Sequence, residues 1–166
     1  MNLAWRRIDA ALRTWPNRAG WSFSVSAGLF GLALIGLIAW AGGLAHFHPL
    51  PVGMAWLRIA LIVIVLPSLG EELIFRALLV PRPDQLFPLW RAIATIALFV
   101  AWHPFQALTF GPPWSALFLA PSFLAAVFVL GATLTAIYRK TGSIWPCVAV
   151  HWFLVASWKL LFGGPF

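Results

Sequence analysis

Only four of the chain's 166 residues are acidic, one is cysteine and two are asparagine. Each shortage closes off a class of function. The single cysteine, Cys147, cannot form an internal disulfide or build a cysteine-rich metal cluster. The two aspartates, Asp9 and Asp84, both lie in polar, basic stretches, so an aspartyl pair at membrane depth is excluded. No G-x-S-x-G elbow marks a serine hydrolase, and no H-E-x-x-H helix marks a zinc protease. Charge is scarce as well: charged residues are 9%, hydrophobic residues 62%, and the mean hydropathy is +0.92. That composition lies outside the range of soluble globular domains and indicates an integral membrane protein. No polar linker, internal repeat or low-complexity tract divides the chain.

What is present is basic charge, aromatic rings and long apolar runs. The formal net charge of +7 comes from Arg and Lys set beside the apolar runs. That placement suits orientation in a lipid bilayer and contact with anionic headgroups, and no nucleic-acid partner is expected. In residues 1–20, Trp5, Ile8, Leu12 and Trp15 recur at helical spacing while Arg6, Arg7 and Arg13 lie elsewhere around the turn. This predicts a basic, amphipathic interfacial helix that Pro16 closes.

Residues 21–166 are expected to form a membrane-embedded domain, an all-α, polytopic helical bundle of about five transmembrane helices. The first run, 21–44, is too long for a signal-peptide core and is read as a retained span. Small-x-x-x-small pairs on it, Ser24 with Gly28 and Ala27 with Gly31, suit close packing within the bundle or between subunits. The second run, 52–80, ends at Pro81-Arg82-Pro83-Asp84. At about 1.5 Å per residue it reaches roughly 43 Å, so it must tilt, kink at Pro67 or break in two. Further spans are predicted over 89–110, 114–138 and 143–162. Alternation then gathers eight of the eleven Arg and Lys on one side, while the loops around 42–51 and 109–113 carry no charge. The positive-inside rule assigns that basic side, with the N-terminus, to the cytoplasm. The small size points to a bacterial inner membrane.

Two of the four acids are adjacent, Glu71 and Glu72, inside the second run. Ionisable groups at that depth are costly and call for named partners. Counting from the basic ends, Glu71 lies about 16 Å from Arg82, His103 about 18 Å from Arg91, and His151 about 12 Å from Ser143. All three fall near the middle of a hydrocarbon core about 30 Å thick. They are expected to face one another or a water-filled cavity; the alternative is a set of private hydrogen bonds between helices. His46 and His48, beside Pro49 in a loop, are expected at the surface. A carboxylate with two imidazoles can activate water: the carboxylate takes a proton, one imidazole holds the water and the other donates to an oxyanion.

Three segments carry a resemblance. Glu71-Glu72-Leu73-Ile74-Phe75-Arg76 fits E-E-x-x-x-R, Phe99-Val100-Ala101-Trp102-His103 fits F-x-x-x-H, and Thr141-Gly142-Ser143-Ile144-Trp145-Pro146 leads to His151. In order and spacing they resemble the CAAX protease and bacteriocin-processing (CPBP) family over about residues 52–160. Its members are similar to the endoplasmic-reticulum CAAX prenyl endopeptidase, a glutamate-dependent, metal-independent intramembrane protease; some are myxosortase-like. The resemblance implies that Glu71 is the general base on water, that His103 positions and polarises it, and that His151 donates to the oxyanion. Glu72 and Arg76 would shape the site, bind substrate or form a structural ion pair, and Phe99 opens the second motif. No cofactor and no metal are implied. The partner would be a membrane-associated peptide or protein: a leader, a secreted precursor or a C-terminal sorting tag.

Two departures stand out. Val155 occupies the place where the family usually carries an oxyanion-donating Asn, and Ala77 replaces a glycine after the motif arginine. Ser157, Thr133 or the Trp152 indole are possible replacement donors. Trp102, Trp145 and Trp152 flank the histidines and are read chiefly as packing or interface anchors. Three other readings stand beside the peptidase: a noncatalytic membrane scaffold or chaperone of the same fold, a proton-coupled carrier, and a zinc-dependent protease that uses Glu71, His103 and His151 as ligands.

Overall fold

A computed structural model describes residues 2–165. The chain's only two asparagines are both used to start helices. Asn2 accepts from Trp5 N–H at 3.0 Å to cap α1 (Leu3–Arg13), and Asn17 accepts from Gly20 N–H at 2.8 Å to cap α2 (Arg18–Ala41). A side-chain oxygen there satisfies an amide the helix cannot reach itself. The helices that follow are α3 (Met54–Val63), a single turn α4 (Gly70–Glu72), α5 (Leu89–Thr109), α6 (Pro121–Thr141) and α7 (Trp145–Leu161). No β-strand occurs among the described residues, and the fold is a helical membrane bundle.

Helices α2, α5 and α6 are long and apolar enough to cross a membrane, and α7 is a shorter apolar helix. Leu29, Phe30, Leu37, Leu98 and Phe128 on the long helices are exposed, as lipid-facing side chains are in a bilayer solvent. The stretch predicted as one 29-residue span, 52–80, is a broken one. Leu66 adopts φ −130° and ψ 116°, so the helix stops before Pro67 and restarts after it. The cause is local: proline's ring disfavours helical geometry in the residue before it. The fourth predicted span starts later than expected, because Pro113–Leu119 forms a separate 3-10 segment and Pro121 begins α6.

The small residues of α2 face inward, within the bundle. A Cβ on Gly28 would meet Val150 of α7 at 2.9 Å, and one on Gly31 would meet the Thr133 hydroxyl of α6 at 2.4 Å. Backbone approach of this kind packs membrane helices where no hydrophobic effect drives them together. Helix α1 docks on one end of the bundle. Ala11 is fully buried and Ile8 and Leu12 pack on the core, while Trp5 and Trp15 stay 60% and 70% exposed. Arg7 donates to Val80 O at 2.7 Å and Trp145 Nε1 to Leu12 O at 2.8 Å. At the other end, His46 and His48 are exposed, and their loop is pinned by His48 N–H to Leu161 O at 2.9 Å.

Candidate active site

The break at Leu66 and Pro67 is followed by unusual local geometry. Two π-helical segments, Ile64–Leu69 and Leu73–Leu78, flank the single α turn of α4. Such wide turns concentrate at functional sites because they redirect side chains. Successive helical residues point about 100° apart, so the adjacent glutamates part company. Glu71 lines a cavity of about 980 Å³, whereas Glu72 is 0% exposed and points into the bundle.

Glu72 is the hub of a buried network. Its Oε1 accepts from Arg76 Nη1 at 3.1 Å, one turn along, and from His151 Nδ1 at 2.9 Å across the bundle. Arg76, 1% exposed, also donates to Gly131 O at 3.3 Å and lies 4.3 Å over the Phe99 ring. A buried guanidinium is tolerable only with this set of partners: a carboxylate, a carbonyl and a π face. Gly131 leaves room at that point, since a Cβ there would lie 3.0 Å from Phe99 Cδ1 and the ring would have to shift. Phe99 in turn sets both imidazoles, with its ring edge-on to His103 at 5.3 Å and to His151 at 6.2 Å.

The hydrogen-bond partners fix the character of each imidazole. His103 Nδ1 is 3.0 Å from Phe99 O. A carbonyl only accepts, so Nδ1 carries the proton and a neutral ring presents Nε2 as an acceptor. His151 Nδ1 faces a carboxylate and is likewise a donor, and its Nε2 lies 4.0 Å from Glu71 Oε2. That separation is too long for a hydrogen bond. Glu71 Oε1 accepts from Trp102 Nε1 at 3.1 Å, and Oε2, though buried, has no partner among the described residues.

The structure therefore brings Glu71, His103 and His151 to one cavity wall, as their common depth predicted. Glu72, Arg76 and Phe99 sit behind that wall, where they hold the others in place. The third motif is a helix corner. Gly142, at φ +65°, ends α6, Ser143 N–H is held by Thr141 Oγ1 at 3.2 Å, and Pro146 stands in the first turn of α7, the helix that carries His151. The structure gives Trp102 a contact that reading it as packing overlooked, the bond to Glu71. Gln106, one turn beyond His103, also lines the cavity, and a lone amide in an apolar span was the signal for it. Of the three candidate replacements for the absent Asn, Trp152 Nε1 is engaged by Ala60 O at 2.9 Å and Thr133 lies under Gly31. Ser157 reaches the cavity, as does Val155.

Among the described residues, no group of three His, Cys, Asp or Glu side chains is arranged to hold a metal ion. A family model described as type II CAAX prenyl endopeptidase Rce1-like matches residues 51–157, which contain all three motifs and leave out α1 and α2. No curated protein and no solved structure matches the chain. With that match over most of its length and the three motifs converging on one cavity, the chain belongs to the type II CAAX prenyl endopeptidase Rce1-like family of membrane-embedded peptidases.

Proposed function

We propose that the protein is a glutamate-dependent, metal-independent intramembrane endopeptidase. The observation that carries this reading is the free Oε2 of Glu71, buried on the cavity wall and facing His151 Nε2 at 4.0 Å. A water there can bond to both atoms. Glu71 Oε2 takes a proton from the water as its oxygen attacks the substrate carbonyl, and the carbonyl π electrons move to oxygen. The protonated carboxyl then passes that proton to the departing amine as the C–N bond breaks. His103 Nε2, left as an acceptor by its bond to Phe99, orients the water through its second O–H. Oxyanion donation falls to His151. With Nδ1–H bonded to Glu72, Nε2 is the ring atom that faces Glu71, and donation to the oxyanion takes place from there when that nitrogen carries a proton. Trp102 holds Glu71 Oε1, so rotation of the carboxylate is restrained.

The cavity walls, among them Ile35, Ile62, Val127 and Leu154, suit an apolar segment of a membrane-associated protein or peptide. The basic end of the bundle faces the cytoplasm of a bacterial inner membrane in this reading. Metal independence is the part of this reading that separates it from a zinc-dependent protease using Glu71, His103 and His151 as ligands. The test is peptidase activity of purified protein in EDTA and 1,10-phenanthroline, with elemental analysis of the same sample. Full activity without stoichiometric zinc is expected; loss on chelation that added zinc restores would assign the reaction to a metal.

Val155 favours the second reading, a noncatalytic scaffold, because it sets an apolar side chain on the cavity wall where a second oxyanion donor belongs. One such donor is worth about 100- to 1000-fold in turnover. Val155→Asn is therefore expected to raise turnover by about 10-fold or more with little change in KM. Unchanged turnover would mean that Gln106 or Ser157, on the same wall, already supplies the bond.

A further inference from the structure

The cavity that holds Glu71, His103 and His151 occupies one half of the bundle only. Among the described residues, α2 supplies no lining residue before Leu32, α5 none before Trp102 and α7 none before His151. Helix α6 runs the opposite way and supplies none after Leu130. From that common level the wall continues into the uncharged loops, at Leu44 and Gly111, and reaches the surface at Phe110 and Phe162, which are 62% and 38% exposed. Those loops share one end of the fold: Trp158 Nε1 donates to Leu44 O at 2.8 Å, and Leu50 N–H to Leu160 O at 2.9 Å. The helix break borders the same space, since Leu66 and Pro67 both line it. Irregular backbone at membrane depth is tolerated where it lines such a cavity.

The other half is filled. Between Glu72 and the basic loops, Val80, Leu134, Ile137, Ile144 and Cys147 are all fully buried. No residue of α1, of the 80–91 loop or of the corner at 139–144 lines the cavity. Arg139 donates to the carbonyls of Pro81, Arg82 and Gln85 and so ties that loop to the end of α6. Side chains packed to this density leave no path for a polypeptide.

Charge gives the two halves a direction. Eight of the eleven Arg and Lys stand at the filled end, which the positive-inside rule sets in the cytoplasm. The open half points away from it: Gly36, on the cavity wall, lies roughly 27 Å along α2 from Arg18. We propose that the catalytic cavity is entered from the extracytoplasmic side, and that its substrate is an exported or membrane-inserted polypeptide cut in the outer half of the bilayer. The cut itself rests on the peptidase reading; the side of entry rests on the cavity and the charge. A peptide confined to the cytoplasm would have to cross the filled half to reach Glu71. Ile62 and Phe153, exposed residues of the wall, set its flank against lipid, which suits an apolar segment whose polar continuation stays in water outside.

The side of entry is read by thiol labelling of the full-length protein in spheroplasts and in inside-out vesicles of a bacterial host. The probe is 2-(trimethylammonium)ethyl methanethiosulfonate, a cation that does not cross the bilayer. Wild type is the blank, because its one thiol, Cys147, is fully buried. Gly36→Cys sets a thiol on the cavity wall where a Cβ meets nothing within 4 Å, and the nearly isosteric Ser157→Cys reports from α7. Leu86→Cys, at an exposed position in the basic loop, marks the opposite face. Thiol exchange follows access, so both cavity variants are expected to react about ten-fold or more faster in spheroplasts than in inside-out vesicles, and Leu86→Cys in the reverse order. Either cavity variant carries the test if the other fails to reach the membrane. Reaction of the cavity thiols from the same side as Leu86→Cys, from both sides alike or from neither would overturn the proposal. So would reaction of Leu86→Cys in spheroplasts, which would set the filled end outside. Labelling needs no turnover, so unaltered cleavage by Glu71→Gln would strike the peptidase reading alone and leave the side of entry decided.

Discussion

Glu71→Gln is expected to lower turnover by about 100- to 10,000-fold, the range a positioned general base supplies. The substitution preserves shape. The amide oxygen still accepts from Trp102 Nε1, which now lies 3.1 Å from Oε1, and the amide nitrogen takes the place of the unpartnered Oε2. Stability is expected to hold or rise, because a neutral amide costs less to bury than a carboxylate. Product analysis by mass spectrometry and a thermal midpoint in the same detergent check both halves. Retained cleavage would remove Glu71 as the base.

Glu72→Ala fails in a different way. Arg76 is left buried without its carboxylate, and His151 loses the acceptor that holds Nδ1 at 2.9 Å. Breaking a buried pair from one side typically costs about 3–5 kcal/mol, enough to lower the thermal midpoint by roughly 10 °C in a chain of this size. Cleavage is expected to fall as well, and the two losses can be separated. In Glu72→Met with Arg76→Met, the ion pair is replaced by apolar volume, which commonly restores stability. Cleavage should stay low in that double variant, since His151 still lacks its orienting carboxylate. Recovery of both stability and activity would reduce Glu72 to a purely structural role.

The convergence of Glu71, His103 and His151 was legible in the sequence because a membrane makes depth calculable: a fixed rise per residue and a basic edge give each side chain a height. The overlong 52–80 run had to tilt, kink at Pro67 or break, and the structure takes the break, at Leu66 just before Pro67. What could not be read was the π-helical backbone on either side of Glu71 and Glu72, because that choice is made by tertiary packing and not by local propensity. Trp102 was hidden for a different reason: with eleven tryptophans in the chain, one indole carries little signal until its hydrogen bond is seen. The apolar stripe of α1 is divided in the structure, with Ile8 and Leu12 on the bundle and Trp5 and Trp15 left outside.

The central claim, a water activated by Glu71 on a membrane-associated polypeptide, is tested most directly by trapping. Glu71→Gln protein is purified with its membrane partners from the native host. Each partner is then incubated with wild type and with the variant, and the products are sequenced. The account predicts a partner cut at one peptide bond by wild type and left intact by the variant; a partner that binds both forms and is cut by neither would contradict it and point to a scaffold.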